Sequence, residues 1–400
     1  MAEPGTTGLD SWWTLDPGVD FMNHGSFGAC PAPVLEAQRR LRDRLEREPV
    51  RFLGIELEGL MDAARTALGA FVGAHPGDIA FVDNATTGVN TALAAQRLAP
   101  GDELLVTDHE YNACRNALDV AAARTGAKVR VAAVPFPLRS EDEVVDAVVG
   151  AAGPATRLAL VDHVTSPTGM VLPIARIVRD LAARGIDTLV DGAHAPGMLA
   201  LDLDALGAAY YCGNCHKWLC TPKGSAFLWV RRDRQAAVRP LVISHGTNSR
   251  RTDRSRFRLE FDWTGTVDPT PWLCIPDAIA FLGGLFPGGW PEFRERNRAM
   301  ALAARDALCG ALGVPAPCPD GMIASMAAVP LPDRRPGEVA RFDWMDPLQE
   351  TLFERWRIEV PVMPWPAPPR RLVRVSCQAY NRPEQYERLA RALAETFSTP

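Results

Sequence analysis

The chain of 400 residues is 47% hydrophobic and 23% charged, with a formal net charge of −5. That length suits two packed domains, or one large domain with a smaller partner, around a sizeable core. So mild a charge argues against a nucleic-acid-binding face or a polybasic membrane anchor, and no run of ~18 apolar residues offers a membrane span.

Residues 31–72 read as helix: Pro31-Ala32-Pro33 opens the stretch, and Val34, Leu35, Gln38, Leu41 and Leu45 recur at helical spacing. From about 78, short apolar runs alternate with longer Ala-rich segments. The expected strands are 79–82, 103–106, 129–132, 158–161, 188–190 and 226–230. The expected helices between them are 88–98, 112–124, 141–152 and 174–184. Strands that are apolar throughout and alternate with helices indicate a mostly parallel sheet covered on both faces. The stretch 240–275, rich in Arg, Gly, Thr and Trp, reads as a long functional loop or connection. Helix returns over 276–312, and 320–395 reads as a small α+β unit with strands at 325–331 and 371–376 and helices at 347–357 and 383–397. Pro364-Trp365-Pro366-Ala367-Pro368-Pro369 reads as a stiff surface loop.

Nine cysteines, at 30, 114, 212, 215, 220, 274, 309, 318 and 377, are odd in number and follow no repeating framework. They read as reduced thiols of a cytoplasmic protein, in line with an N-terminus that lacks a basic-then-apolar leader pattern. Cys212, Cys215 and Cys220 have only His216 nearby at metal spacing, so small buried thiols are expected there rather than zinc.

Thr188-Leu189-Val190-Asp191-Gly192-Ala193-His194 is an apolar strand ending in an acid, followed by small residues that let a flat group approach. Ligands of parallel sheets collect at the carboxyl ends of the strands. A carboxylate there can hold the proton of a ring nitrogen and make the ring an electron sink, although a strand-ending Asp also serves as a helix cap. Lys217 follows in Gly213-Asn214-Cys215-His216-Lys217-Trp218, among apolar and aromatic neighbours. Partial desolvation lowers a lysine's proton affinity and frees the amine to form an imine; the competing assignment is a solvated surface lysine. Upstream, Asp83-Asn84-Ala85-Thr86-Thr87-Gly88 ends a strand and opens a helix, where free N–H groups cradle a phosphate or form an ordinary N-cap. It is neither a P-loop nor a dinucleotide-binding glycine fingerprint, which argues against an NTPase or a nicotinamide enzyme.

These motifs, in this order and closed by Arg374-Val375-Ser376, resemble the class V aminotransferase family of fold-type I enzymes that use pyridoxal 5'-phosphate (PLP). The likeness runs from about Asn23 to the C-terminal helix. Asn23-His24-Gly25-Ser26-Phe27-Gly28, Asp108-His109-Glu110-Tyr111-Asn112-Ala113 and Asp162-His163-Val164-Thr165-Ser166-Pro167-Thr168-Gly169 resemble the branch of isopenicillin N epimerases and carbon–sulfur lyases. The resemblance implies an α/β fold with a mostly parallel seven-stranded sheet and a small α+β C-terminal domain. Its implied divisions are an arm at 1–30 contributing to the active site, a PLP-binding domain at 31–275 and a small domain at 276–400.

By the same resemblance Lys217 would form the Schiff base and shuttle the Cα proton, and Asp191 would pair with the pyridine nitrogen. His194 would bond the ring hydroxyl, with Ser166 a further cofactor contact. Thr86, Thr87, His216 and Asn214 would bind phosphate. Thr266, after Gly265, would reach a neighbouring subunit's phosphate, which implies a homodimer with shared sites. Arg374 would clamp the substrate carboxylate, a task suited to a bidentate fork. His109 or Tyr111 would stack on the ring, the other serving as a proton donor. Cysteine desulfurases of the family carry a nucleophilic Cys shortly before that arginine, whereas Val360-Pro361-Val362-Met363-Pro364-Trp365 has none and Cys377 lies beyond it, in a core strand. Persulfide chemistry is therefore disfavoured. Epimerisation, β-elimination and transamination share loss of the Cα proton, so the motifs do not separate them. The choice would fall to substrate-pocket side chains, with Asn23, His24, Tyr111, His245 and Arg258 as candidates. A PLP-fold binding protein without catalysis is disfavoured, because it would not need Lys217, Asp191 and Arg374 together.

Overall fold

The computed structural model describes residues 8–339, 341–342 and 345–398. Its strands in chain order are β1 Asp20–Phe21, β2 Ile79–Val82, β3 Glu103–Thr107, β4 Lys128–Ala132, β5 Thr156–Asp162, β6 Asp187–Asp191, β7 Tyr210–Asn214, β8 Ala226–Val230, β9 Met326–Leu331, β10 Ile358–Glu359, β11 Val362–Pro364 and β12 Arg371–Ser376. Seven form one sheet in the order β2-β8-β7-β6-β5-β3-β4. The run from β7 to β4 is parallel, and β8 pairs antiparallel with both β7 and β2. The strands are apolar throughout because both faces are covered. On β5, Leu158 and Leu160 join a core with Val89 and Leu118, while Ala159 and Val161 face the opposite core with Ile177 and Leu181. The covering helix Ile174–Ala182 buries Ile174, Ile177, Val178 and Leu181, a stripe at helical spacing.

Three expectations need correction, and one strand of the main sheet was not expected. The helix expected over 31–72 is interrupted: Ala32–Arg47 and Leu57–Val72 are joined by a turn at Pro49–Arg51 and a π-helical segment at Phe52–Glu56. Glu48 leaves helical geometry because the residue before a proline is crowded out of it. The helix over 276–312 is likewise two, Ile275–Gly283 and Gly289–Leu312, parted where Gly289 takes a left-handed φ of +62°. The stretch 240–275 is not loop alone, since it holds helices Arg256–Phe261 and Thr270–Leu273. Strand β7 was not expected from its Tyr-Tyr-Cys-Gly-Asn sequence. Gly213 lies in it because a Cβ there would come 2.6 Å from the Phe227 ring.

Two smaller sheets complete the site. β9, β11 and β12 form an antiparallel sheet in the order β11-β12-β9, which carries Arg374. β1 pairs parallel with β10 and anchors the N-terminal segment that leads to Ser26 and Phe27. Among the described residues, no helix is long and apolar enough to cross a membrane.

Candidate active site

Strands β5, β6 and β7 end at Asp162, Asp191 and Asn214, and all three residues line one cavity of about 300 Å³ at the carboxyl edge of the sheet. Its wall also includes Ser26, Thr86, Tyr111, Ser166, His194, His216 and Lys217. Lys217 sits in the turn after β7, where the backbone N–H groups of Cys215 and His216 both donate to the Ser225 carbonyl. The turn is packed tightly from outside. A Cβ at Gly197 would lie 2.4 Å from the Trp218 carbonyl oxygen, and one at Gly28 would lie 2.7 Å from that of Lys217.

Burial lowers Lys217 to about 8, against the pull of Asp191. Its Nζ lies 3.2 Å from His194 Nε2, and Trp218 Nε1 donates to His194 Nδ1 at 3.2 Å. Desolvation holds His194 well below the ordinary histidine range, so it is neutral. With Nδ1 accepting, the imidazole proton belongs on Nε2, facing the lysine, an arrangement that favours its free amine over the ammonium. Asp191 accepts from the Ala193 amide at 2.9 Å and from the Cys114 thiol at 3.2 Å.

At one end of the cavity, Asn84 caps the helix Ala85–Ala94 through the Thr87 amide, and Asn214 Oδ1 accepts from the Ala85 amide at 2.8 Å. Thr86 faces the cavity, whereas Thr87 is turned to Asn84, its hydroxyl donating at 3.1 Å. His216 Nδ1 accepts from the Ser225 amide, and burial lowers this ring to about 4, leaving a neutral imidazole with an N–H at Nε2. This is a donor set for a phosphate.

Arg374 is 2% exposed and reaches from β12 to this cavity. It donates to the Ser166 carbonyl and, at 2.9 Å, to Ser26 Oγ. Its Nε has no partner, and among the described residues no acid pairs with it. A buried cation without a counter-ion is a receptor for an anion.

The remaining candidates, Tyr111 apart, lie elsewhere. His109 does not line the cavity: its nitrogens are taken by Thr168 Oγ1 at 2.8 Å and the Val134 carbonyl at 3.0 Å, and its ring packs on Trp365. Tyr111 does line it. His24 lies behind the Lys217 turn, bonded to Tyr380 and to the Lys217 carbonyl, and Asn23 donates to Glu359. His245 borders a separate apolar recess, and Arg258 is paired with Asp62 and Asp262. Thr266 is exposed and outside the lining. Ser26, Phe27, Asp162 and Lys223 line the cavity, and Cys114 and Trp218 back it, without having been singled out from sequence. The first three lie inside the quoted motifs, where position next to a strand end was the available signal.

An amine of lowered basicity, a carboxylate at a strand end and a phosphate cradle in one cavity, with a buried anion receptor behind its wall, fit PLP. The aminotransferase class-V family model matches residues 30–267. The chain is 39% identical to an isopenicillin N epimerase of Amycolatopsis lactamdurans over 96% of both chains. It is 33% identical to a probable chloroplastic L-cysteine desulfhydrase of Arabidopsis thaliana, over 94% of this chain and 83% of that one. Among solved structures, a cystine C–S lyase bound to cysteine persulfide superposes with a TM-score of 0.78 at 23% identity, over 95% of this chain and 98% of the other. A cysteine desulfurase from Thermococcus onnurineus gives 0.80 at 18%, over 100% and 99%. Sequence, fold and donor set agree: the chain belongs to the class-V aminotransferase family and is a PLP-dependent enzyme.

Proposed function

We propose that the protein is an isopenicillin N epimerase-like enzyme that inverts the Cα centre of an amino acid or amino-acid-derived substrate. The observation that carries an amino-acid substrate is Arg374, a buried guanidinium with no acid partner among the described residues, bonded to Ser26 and Ser166 in the wall of the cavity that Lys217 lines. It would grip the α-carboxylate while the α-amine approaches Lys217. The choice of epimerisation is supported by the two epimerase relatives at 39% and 36% identity. Bound in the cavity, PLP supplies an aldehyde for the substrate amine and a ring that accepts electron density from the cleaved Cα–H bond.

In this reading Lys217 would hold PLP, and its amine would take the Cα proton of the substrate. His194, neutral and anchored by Trp218, orients that amine. Asp191 would keep a proton on the ring nitrogen, its carboxylate held in place by the Ala193 amide and the Cys114 thiol. Thr86, His216 and the N-terminus of Ala85–Ala94 would hold the phosphate. Tyr111 would return a proton to the opposite side of Cα, since it alone of the five pocket candidates lines the cavity.

A β-eliminating carbon–sulfur lyase is the second reading, favoured by the desulfhydrase relatives. All nine cysteines are buried, which leaves no exposed thiol nucleophile to take up sulfur. The same thiols, without a disulfide among them, support a reducing, cytoplasmic compartment. A homodimer is supported by exposed Val50, Ile55, Leu241, Val242, Ile243 and Val267, and by Thr266, which would face a partner's phosphate.

The test is one incubation of PLP-loaded enzyme in deuterated water with isopenicillin N and, separately, L-cysteine. Deuterium at Cα with both epimers from isopenicillin N, and no pyruvate from cysteine, is the expected result. Pyruvate and sulfide from cysteine without epimerisation would replace this reading with the lyase.

A further inference from the structure

Asp191 is not the only acid beneath the cofactor cavity. The parallel register of β5 and β6 sets Asp162 directly beside Asp191, on the same face of the sheet. Asp162 is 2% exposed and lines the cavity, yet its Oδ2 meets no donor. Glu110 enters from the loop before the helix Asn112–Thr125, and its carboxyl lies within hydrogen-bonding reach of Asp162. Its Oε1 accepts from the Tyr111 amide at 3.1 Å, while the enclosed Oε2 meets no donor. A carboxylate oxygen of Glu110, the Cys114 sulfur and a carboxylate oxygen of Asp191 lie within 4.8 Å of one another.

Three ionised carboxylates in so small and dry a space would repel one another strongly. The donors decide which gives way. Asp191 holds the Ala193 amide and the Cys114 thiol, and it faces the Lys217 amine. Glu110 and Asp162 have only backbone donors, the Tyr111 amide and the Asp162 amide, and among the described residues each keeps an oxygen that meets no donor and that a shared proton would satisfy. Cys212 on β7 offers no relief, because burial and the nearby acids hold it as a thiol.

We propose that Glu110 carries a proton at neutral pH and donates it to Asp162, so that the pair acts as one anion placed beside Asp191. The pair is a positioning device. It adds a second negative charge one strand away from the carboxylate that faces the ring nitrogen, and so strengthens the hold on a protonated ring without crowding Asp191 itself. Burial and the neighbouring carboxylates raise both Glu110 and Asp162 well above their usual ranges, and the bond between them raises Glu110 while it lowers Asp162, which puts the proton on Glu110. The assignment rests on PLP binding and not on whether the outcome is epimerisation or elimination.

Infrared spectroscopy of the PLP-loaded enzyme at neutral pH reads the proton directly. The expected result is a protonated-carboxyl C=O band that shifts in deuterated water and is missing from Glu110→Gln. Absence of that band from the unmutated protein overturns the proposal, and this measurement needs no variant to fold. The second readout is the PLP dissociation constant of cofactor-stripped protein. Glu110→Gln keeps an N–H donor toward Asp162 and is expected to bind PLP within about twofold of the parent. The double variant Glu110→Gln/Asp162→Asn has no acid left in the pair and is expected to bind about tenfold more weakly, the effect of one pK unit. Parental affinity in the double variant, or equal weakening in Glu110→Gln alone, would each refute the shared proton.

Discussion

Replacing Trp218 by phenylalanine isolates the hydrogen bond that sets the tautomer of His194. The indole N–H donates to Nδ1 at 3.2 Å, which leaves Nε2–H pointed at the Lys217 amine 3.2 Å away. A lysine facing an N–H is favoured as the free amine and disfavoured as ammonium. In Trp218→Phe the imidazole is released to carry its proton on Nδ1 and to offer the Nε2 lone pair to an ammonium. A neutral hydrogen bond contributes about 0.5–1.5 kcal/mol net, and an orphaned buried acceptor costs about 1–3 kcal/mol. One pK unit is about 1.4 kcal/mol. Lys217, lowered by burial to about 8 in the parent, is therefore expected to rise by roughly one unit. The assay is the rate at which cofactor-stripped protein captures PLP at Lys217, trapped by borohydride and followed against pH. The expected midpoint moves upward by about one pH unit, with capture slowed at neutral pH. An unmoved midpoint in a variant with native near-ultraviolet dichroism would refute the tautomer argument, and a downward shift would reverse its sign.

Three further outcomes follow from the same geometry. Burial lowers Lys217 from 10.5 to about 8, so between those values the unfolded chain holds a proton that the cofactor-free fold does not. Stability from this group rises with pH across that window and the full cost applies below it; Lys217→Met should stabilise cofactor-free protein at pH 7 by up to about 3 kcal/mol in urea titrations, with no gain at pH 11. Gly192→Ala would place a Cβ 2.2 Å from the buried ring of Tyr211, whose hydroxyl is held by His163 at 2.9 Å. The overpacking should cost about 1–3 kcal/mol and weaken PLP binding at the neighbouring Asp191; an unchanged melting temperature would contradict it. Arg374→Lys loses the fork that spans Ser26 and Ser166. It should raise KM for the amino acid about 10–100-fold with PLP affinity unchanged, and a KM equal to the parent's would remove Arg374 from the carboxylate site.

Much of the site was legible in the linear sequence because its groups are tied to element ends. Asp191 closes an apolar strand and Asn84 to Thr87 mark a strand-to-helix turn, both where a parallel sheet exposes ligands, whereas Lys217 stood out by its apolar and aromatic neighbours, its strand having been missed. The resemblance to class V aminotransferases added Arg374, whose strand is far away in sequence and reveals nothing of its target. The reading was weaker where the fold chooses between neighbours. His109 and Tyr111 are two residues apart, yet one is consumed by Thr168 and Val134 and the other faces the cavity. His24 and Asn23 stand in a motif that approaches the active site, but their side chains support the Lys217 turn and the β10 edge.

Local pattern was sufficient for the alternating strands and helices, the cofactor motifs and the absence of a nucleophilic cysteine in residues 360–365. Those features depend on short-range periodicity and residue chemistry, which a chain displays without folding. Register, side-chain direction and burial depend on partners distant in sequence. The pairing of Asp162 with Asp191 needs two strands aligned, the proton between Glu110 and Asp162 needs a third element laid over them, and the neutrality of His194 needs Trp218 and a dry cavity. Desolvation is what turns each of those contacts into chemistry, and it exists only once the chain has closed around them.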